Sequence, residues 1–176
     1  EGFEMDAGSA ELLAILADGS FRDALGELQK ILNFAGKDNK SKKAAKISRE
    51  DVEKITGAPK TTLVNNFISA IAEKNLEKGI ETVRIASEAN LDMKLFFKLI
   101  IQKFRMAIIL RYAPKLKDEM AGDLSEGDLE FLKSLVKEDP ERKPSASDGA
   151  GKAGMFNSST LAILLEAYGN MDNAFI

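Results

Sequence analysis

The sequence predicts an all-α fold, a small helical module followed by a helical bundle. Three observations carry this. Apolar residues recur at spacings of three and four along nearly every segment. Capping residues stand before most of these stretches, and glycine or proline closes several. No convincing alternating strand and no internal repeat is present. With 176 residues, 44% of them hydrophobic, the chain is long and apolar enough to bury a core.

The elements follow in order. Leu12, Leu13, Ile15 and Leu16 predict a short first helix opening after Asp6 or Ser9. Phe21, Leu25, Leu28 and Leu32, at steps of 4, 3 and 4, predict one face of the second. Ser20 is its expected N-cap. Asp23 at the third helical position completes a capping box with Asp in place of Glu, a structural role rather than a metal-binding one. Gly36 is expected to end this helix. The segment 37–46 carries five lysines against one aspartate and reads as a solvated loop. Those lysines are also a candidate contact to DNA phosphates, although no aromatic interleaves them. Ser48 and Asp51 predict a capped third helix, with Ile47 and Val52 as a hydrophobic staple and Gly57 as its end. Ala58-Pro59 reads as a hinge.

Beyond it, Thr61 is expected to cap a helix whose face holds Leu63, Val64, Phe67, Ile68 and Ile71. Leu76, Ile80, Val83 and Ala86 predict the next, ending near Asn90. A long helix is predicted from about Asp92 to Tyr112, halted by Pro114, with an apolar surface wide enough to meet more than one neighbour. Ser125 and Asp128 open another, with Leu124 and Leu129 as a staple and a stripe through Leu132 and Leu135. The carboxylates between 118 and 141 read as a solvated acidic surface. A flexible loop is expected near 139–154, where Pro, Gly, Ser and Lys dominate. Ser158 or Ser159 should cap a last helix with Leu161, Leu164, Leu165 and Tyr168 on one face.

Composition excludes several chemistries. The chain has no cysteine and no histidine, so disulfides, Cys/His metal sites and histidine acid–base catalysis are ruled out within it. A net charge of −3 gives no overall basic field. No apolar run reaches the roughly 20 residues of a bilayer span. The longest, Leu95 to Leu110, is broken by Lys98, Gln102, Lys103 and Arg105. The acidic start Glu1-Gly2-Phe3-Glu4 carries no signal peptide pattern. Without an initiating Met, the sequence is read as a fragment of a longer protein.

The most informative stretch is Asp18-Gly19-Ser20-Phe21-Arg22-Asp23-Ala24-Leu25. It sets an arginine in the first turn of an amphipathic helix, behind a glycine-containing turn. A helix start presents unpaired N–H groups and a partial positive charge, both of which favour an anion. A guanidinium adds a planar donor fork suited to phosphate oxygens. The plainer reading is a surface arginine paired with Asp18 or Glu4.

This stretch resembles the sensor-2 motif of the AAA+ clamp-loader family, in the G-S-x-R-D-A-L form of the gamma/tau branch found in bacterial DNA polymerase III. Glu1-Gly2-Phe3-Glu4-Met5-Asp6, Leu12 to Ala17, and Ile47-Ser48-Arg49-Glu50-Asp51-Val52 with Gly57 are similar to neighbouring family segments. The resemblance is specific over 1–57. Over 58–176 it rests on helix lengths and on Ala113-Pro114. It implies a lid (domain II) remnant at 1–57 and a collar (domain III) at 58–176. Arg22 would then contact the phosphates of ATP bound by a domain outside this sequence, with Gly19, Ser20 and Asp23 supporting the motif. The parent would be an ATPase subunit, using ATP with magnesium to load a ring-shaped sliding clamp onto primed DNA. It would belong to the DNA-directed DNA polymerase (nucleotidyltransferase) assembly. Its partners would be the other clamp-loader subunits through the collar, and the clamp and primed DNA through the assembly. The setting would be cytoplasmic, with no membrane. The fragment itself carries no Walker A or B motif, so it is expected neither to hydrolyse ATP nor to hold a cofactor or metal alone. Two alternatives stand beside this reading: the helical lid and C-terminal region of another AAA+ DNA-processing ATPase, or a helical protein-interaction module without nucleotide binding.

Overall fold

The computed structural model describes residues 3–38, 45–113, 125–136 and 156–171. Eight helices dominate them: α1 (Ala7–Leu16), α2 (Phe21–Asp38), α3 (Arg49–Thr56), α4 (Thr61–Ala72), α5 (Leu76–Glu88), α6 (Met93–Tyr112), α7 (Glu126–Val136) and α8 (Ser158–Met171). The all-α expectation holds. It is qualified by two three-residue strands, β1 (Phe3–Met5) and β2 (Ala45–Ile47), which pair in parallel with Phe3 opposite Ala45 and Met5 opposite Ile47. Three residues are too few to show an alternation, so pattern reading passes over them.

The first three helices cohere around β2. Asp6 caps α1, accepting from the Ser9 amide at 2.7 Å, and the buried Ser9 hydroxyl reaches the Ile47 carbonyl at 3.1 Å. The Ser48–Asp51 box on α3 is complete in both directions, and Gly57 ends α3 at φ 71°, a left-handed angle that suits glycine. Ile47 and Val52 are both buried in one core. α2 departs from expectation at both ends. It runs to Asp38, past Gly36. Its box is half formed: the Asp23 amide donates to Ser20 Oγ at 3.3 Å, but the Ser20 amide donates back to the Ala17 carbonyl at 2.8 Å. Its expected face also turns. Ile31 is fully buried, Leu28 and Leu32 are half-buried, and Phe21 and Leu25 are 83% and 56% exposed.

The segment after Gly57 is packed. Ala58 and Pro59 are buried. Thr61 is not the cap of α4 but its first helical residue; Lys60 takes the cap position without a side-chain bond. The Thr61 amide and hydroxyl instead donate to Glu53 Oε1 of α3, at 2.8 and 2.6 Å. A carboxylate from the preceding helix thus supplies what a cap would.

α6 is the central element and contacts α4, α5, α7 and α8. Asp92 caps it through the Lys94 and Leu95 amides, and it ends at Tyr112 as expected. Its Phe96, Ile100 and Phe104 are fully buried in a cluster that also takes in Leu12, Ile31, Val52, Ile68 and Leu132. The Phe104 and Phe156 rings stack 5.0 Å apart. Ser125 caps α7 through the Asp128 amide as expected. α8 is capped by Asn157, which accepts from Thr160, rather than by Ser158 or Ser159. Leu164 is buried, but Leu165 is 48% exposed. The α5 face also differs from expectation. Ala86 is buried, whereas Leu76 and Ile80 are 76% and 61% exposed. The staple residue Leu124, the loop near 139–154 and residues 39–44 of the lysine-rich segment lie outside the described residues.

Candidate functional site

The turn between α1 and α2 builds the site. Asp18 and Gly19 both have left-handed backbones, φ 49° and 82°. Glycine takes this angle freely, and aspartate tolerates it better than most residues. Two such residues in succession reverse the chain so that Ser20 begins α2 with its side chain over the first turn.

The anchor of this turn comes from 80 residues away. Lys98 of α6 bonds the Asp18 carboxylate and also donates to the Ile15 carbonyl at 3.0 Å. One ammonium thus satisfies the end of α1 and neutralises the turn. The Lys98 hydrogen bond holds the Asp18 carboxyl below the usual carboxylate range.

Arg22 lies one turn into this architecture. It is exposed and makes no hydrogen bond or ion pair among the described residues. The pairing with Asp18 that the plainer reading foresees is absent, because Lys98 holds that carboxylate. The Phe21 and Arg22 amides at the helix start have no partners among the described residues, while the next two amides bond to Ser20. Phe21 stands beside them, nearly bare. A groove of about 510 Å³ runs alongside, lined by Phe3, Met5, Leu25, Leu28, Leu32 and Ile47. Gly19, Ser20, Arg22 and Asp23 therefore sit together at one open helix start. The displayed group is a cation with two spare N–H donors, a set that matches phosphate oxygens. Asp23 is exposed at the third helical position, and no group of acidic side chains suited to a metal converges among the described residues.

A second charged cluster lies behind the first, and sequence reasoning missed it. Arg49 of α3 bonds Glu11 and the Gly8 carbonyl of α1, each at 3.2 Å, and lies 3.5 Å from both Glu53 and Asp128. Lys103 of α6 bonds Asp128, and bonds Asn65 of α4 at 2.7 Å. Asp128 is 2% exposed, so the acidic surface expected around it does not include this carboxylate. Burial pushes the Glu11 carboxyl up and the Lys103 ammonium down from their ordinary values. The one available signal was the placement of Lys98 and Lys103 inside an apolar helix, where a charge needs a partner.

Fold and site together define an all-α chain that displays an arginine at the open start of an amphipathic helix. Among curated proteins it is similar to the DNA polymerase III subunit tau of Bacillus subtilis (strain 168), at 28% identity over 134 residues. The similarity covers 72% of this chain and 22% of that protein, so the chain corresponds to about a fifth of the relative's length. The gamma/tau resemblance carried by the motif is thus met by a relative over most of the chain. No family model matches, and no solved structure matches. No described helix is long and apolar enough to cross a membrane.

Proposed function

We propose that this chain is the nucleotide-sensing lid and the collar of a gamma/tau-type clamp-loader subunit of DNA polymerase III, working in the cytoplasm in DNA replication. Residues 1–57 form the lid and 58–176 the collar. Arg22 reads the phosphates of ATP held, with its magnesium, by an ATPase domain outside this sequence. Binding those phosphates more tightly in one lid orientation than another converts nucleotide occupancy into rigid-body movement. The whole assembly then opens the sliding clamp and sets it on primed DNA. ATP hydrolysis belongs to the Walker motifs of the parent, which this sequence lacks.

The carrying observation is Arg22 itself: exposed and without a hydrogen bond or ion pair among the described residues, at a helix start where the Asp18 carboxylate is already held by Lys98. An arginine meant for surface solvation has no need of a turn so fixed. The bare Phe21 and Leu25 beside it support a neighbouring domain in the parent. The exposed Leu76 and Ile80, next to Phe67 and Ile71, support side-by-side packing of collars between subunits.

The test is Arg22→Ala in the full-length subunit, assembled with its partners. ATP-dependent clamp loading should fall at least tenfold, about 1.4 kcal/mol. Loading at the unsubstituted rate removes the sensor role.

A further inference from the structure

We propose that the buried Arg49–Asp128–Lys103 cluster is a latch that fixes α1–α3 against α4–α8 in a single orientation, so that the segments on either side of Gly57-Lys60 move as one body. The argument begins with where the charges come from. Arg49 and Glu11 belong to α3 and α1, Lys103 to α6, and Asp128 to α7. The Asp128 carboxylate is shared. One oxygen takes the Lys103 ammonium and the other faces the Arg49 guanidinium at 3.5 Å. The first cation is fixed on one side of the joint and the second on the other. A rotation between the two sides would therefore pull Asp128 away from Arg49, the one ion pair of the cluster that crosses the joint, inside a poorly screened interior.

Such a cluster does little for stability compared with apolar residues of the same size, because removing ions from water offsets their attraction. Its effect is on uniqueness. Any other arrangement gives up the Arg49–Asp128 attraction without returning either ion to water, a cost tied to orientation that two apolar faces do not impose. The geometry around it agrees. Gly8 of α1 lies so near α7 that an added Cβ would stand 3.3 Å from that of Ser125, and the Gly8 carbonyl is itself held by Arg49. Glu53 closes the same joint from beneath by taking Thr61. Lys98 adds a separate tie from α6 to the α1–α2 turn. Arg49 Nε and one Asp128 oxygen make no hydrogen bond among the described residues, so Arg49 is held there by ion-pair attraction to Glu53 and Asp128 at 3.5 Å.

This inference does not depend on nucleotide sensing, and either can fail without the other. The test uses the whole chain. It has no cysteine, so Gln29→Cys on α2 and Ser87→Cys on α5, both exposed, provide a clean pair of spin-label sites. Pulsed electron–electron resonance then reads the distance distribution between them. One narrow distribution is expected. Asp128→Asn, which keeps shape and removes the shared charge, should broaden it by about twofold or add a second population, with helical circular dichroism retained. Glu11→Gln, at the edge of the cluster, should broaden it less and decides the matter should Asp128→Asn fail to fold. A width unchanged in the folded variants overturns the latch and leaves apolar packing as what fixes the joint. So does a distribution that is already broad in the unsubstituted chain.

Discussion

Lys103 shows at the level of one residue how a charge inside an apolar helix is to be understood. Its ammonium is buried against Asp128 and Asn65, and burial holds it below the ordinary lysine range in spite of that carboxylate. Lys103→Met leaves Asp128 with only the longer Arg49 contact and should cost about 3 kcal/mol in urea unfolding, whereas Lys103→Met with Asp128→Leu should recover most of it. Arg49 then keeps Glu11 and Glu53 as partners. The pH dependence has a definite sign. Between the lowered folded value and the ordinary unfolded one, the unfolded chain holds the Lys103 proton that the folded chain has released. Stability therefore gains with rising pH in that window, and the gain should be missing from the double variant. Arg22 is the opposite case. It makes no hydrogen bond or ion pair among the described residues, so Arg22→Ala should shift unfolding by no more than about 0.5 kcal/mol while, under the proposed sensor role, lowering clamp loading in the parent at least tenfold. The motif singled out Arg22 in the sequence, and the structure places it exposed at the α2 start. Lys98, Arg49, Lys103 and Asp128 were not legible as partners, because the pairings that join them across elements span 25 to 83 residues of sequence.

Helices whose signals are local were legible, and those whose ends are satisfied from elsewhere were not. The Ser48–Asp51 box is contained within four residues and formed as read. Ser48→Ala should cost about 1 kcal/mol. The Ser48 hydroxyl and amide hold the Asp51 carboxyl below its usual range, so this contribution is present at neutral pH and is lost as pH falls through the lowered value. Urea unfolding of Asp51→Asn should match that of the unsubstituted chain in strong acid and fall short of it at neutral pH. Thr61 defeated the same reasoning because its amide is taken by Glu53 across the joint. The α8 cap moved to Asn157, one residue before two serines of equal promise. The α2 and α5 faces were judged by spacing alone. Periodicity says which residues share a side, but not whether a neighbour covers it, and Phe21, Leu25, Leu76 and Ile80 stand uncovered. β1 and β2 escaped because parallel pairing joins segments about forty residues apart, and each is too short to carry a pattern.

At the scale of the whole molecule, the division at 57–60 and the packing across it point to different behaviours, and unfolding separates them. Two modules joined by an exposed linker would melt separately. Here a single apolar cluster takes Leu12, Ile31 and Val52 from one side and Phe96, Ile100 and Leu132 from the other. Pro59 is buried between them, and Lys98 and Arg49 cross in opposite directions. Loss of either side exposes the other's core, so the chain should unfold in one cooperative step. The residues themselves supply two independent probes. Circular dichroism at 222 nm averages all eight described helices, whereas both tyrosines, Tyr112 and Tyr168, lie in α6 and α8. Urea transitions followed by ellipticity and by tyrosine fluorescence should coincide in midpoint and slope. A loss of ellipticity that precedes the tyrosine change would mean that α1–α3 melt alone. Phe96→Ala, at the centre of the shared core, should lower the common midpoint by the equivalent of about 3–5 kcal/mol without splitting it. Under the proposed sensor role, a ligand held at Arg22 would act on a turn already tied to α6, and α6 touches α4, α5, α7 and α8.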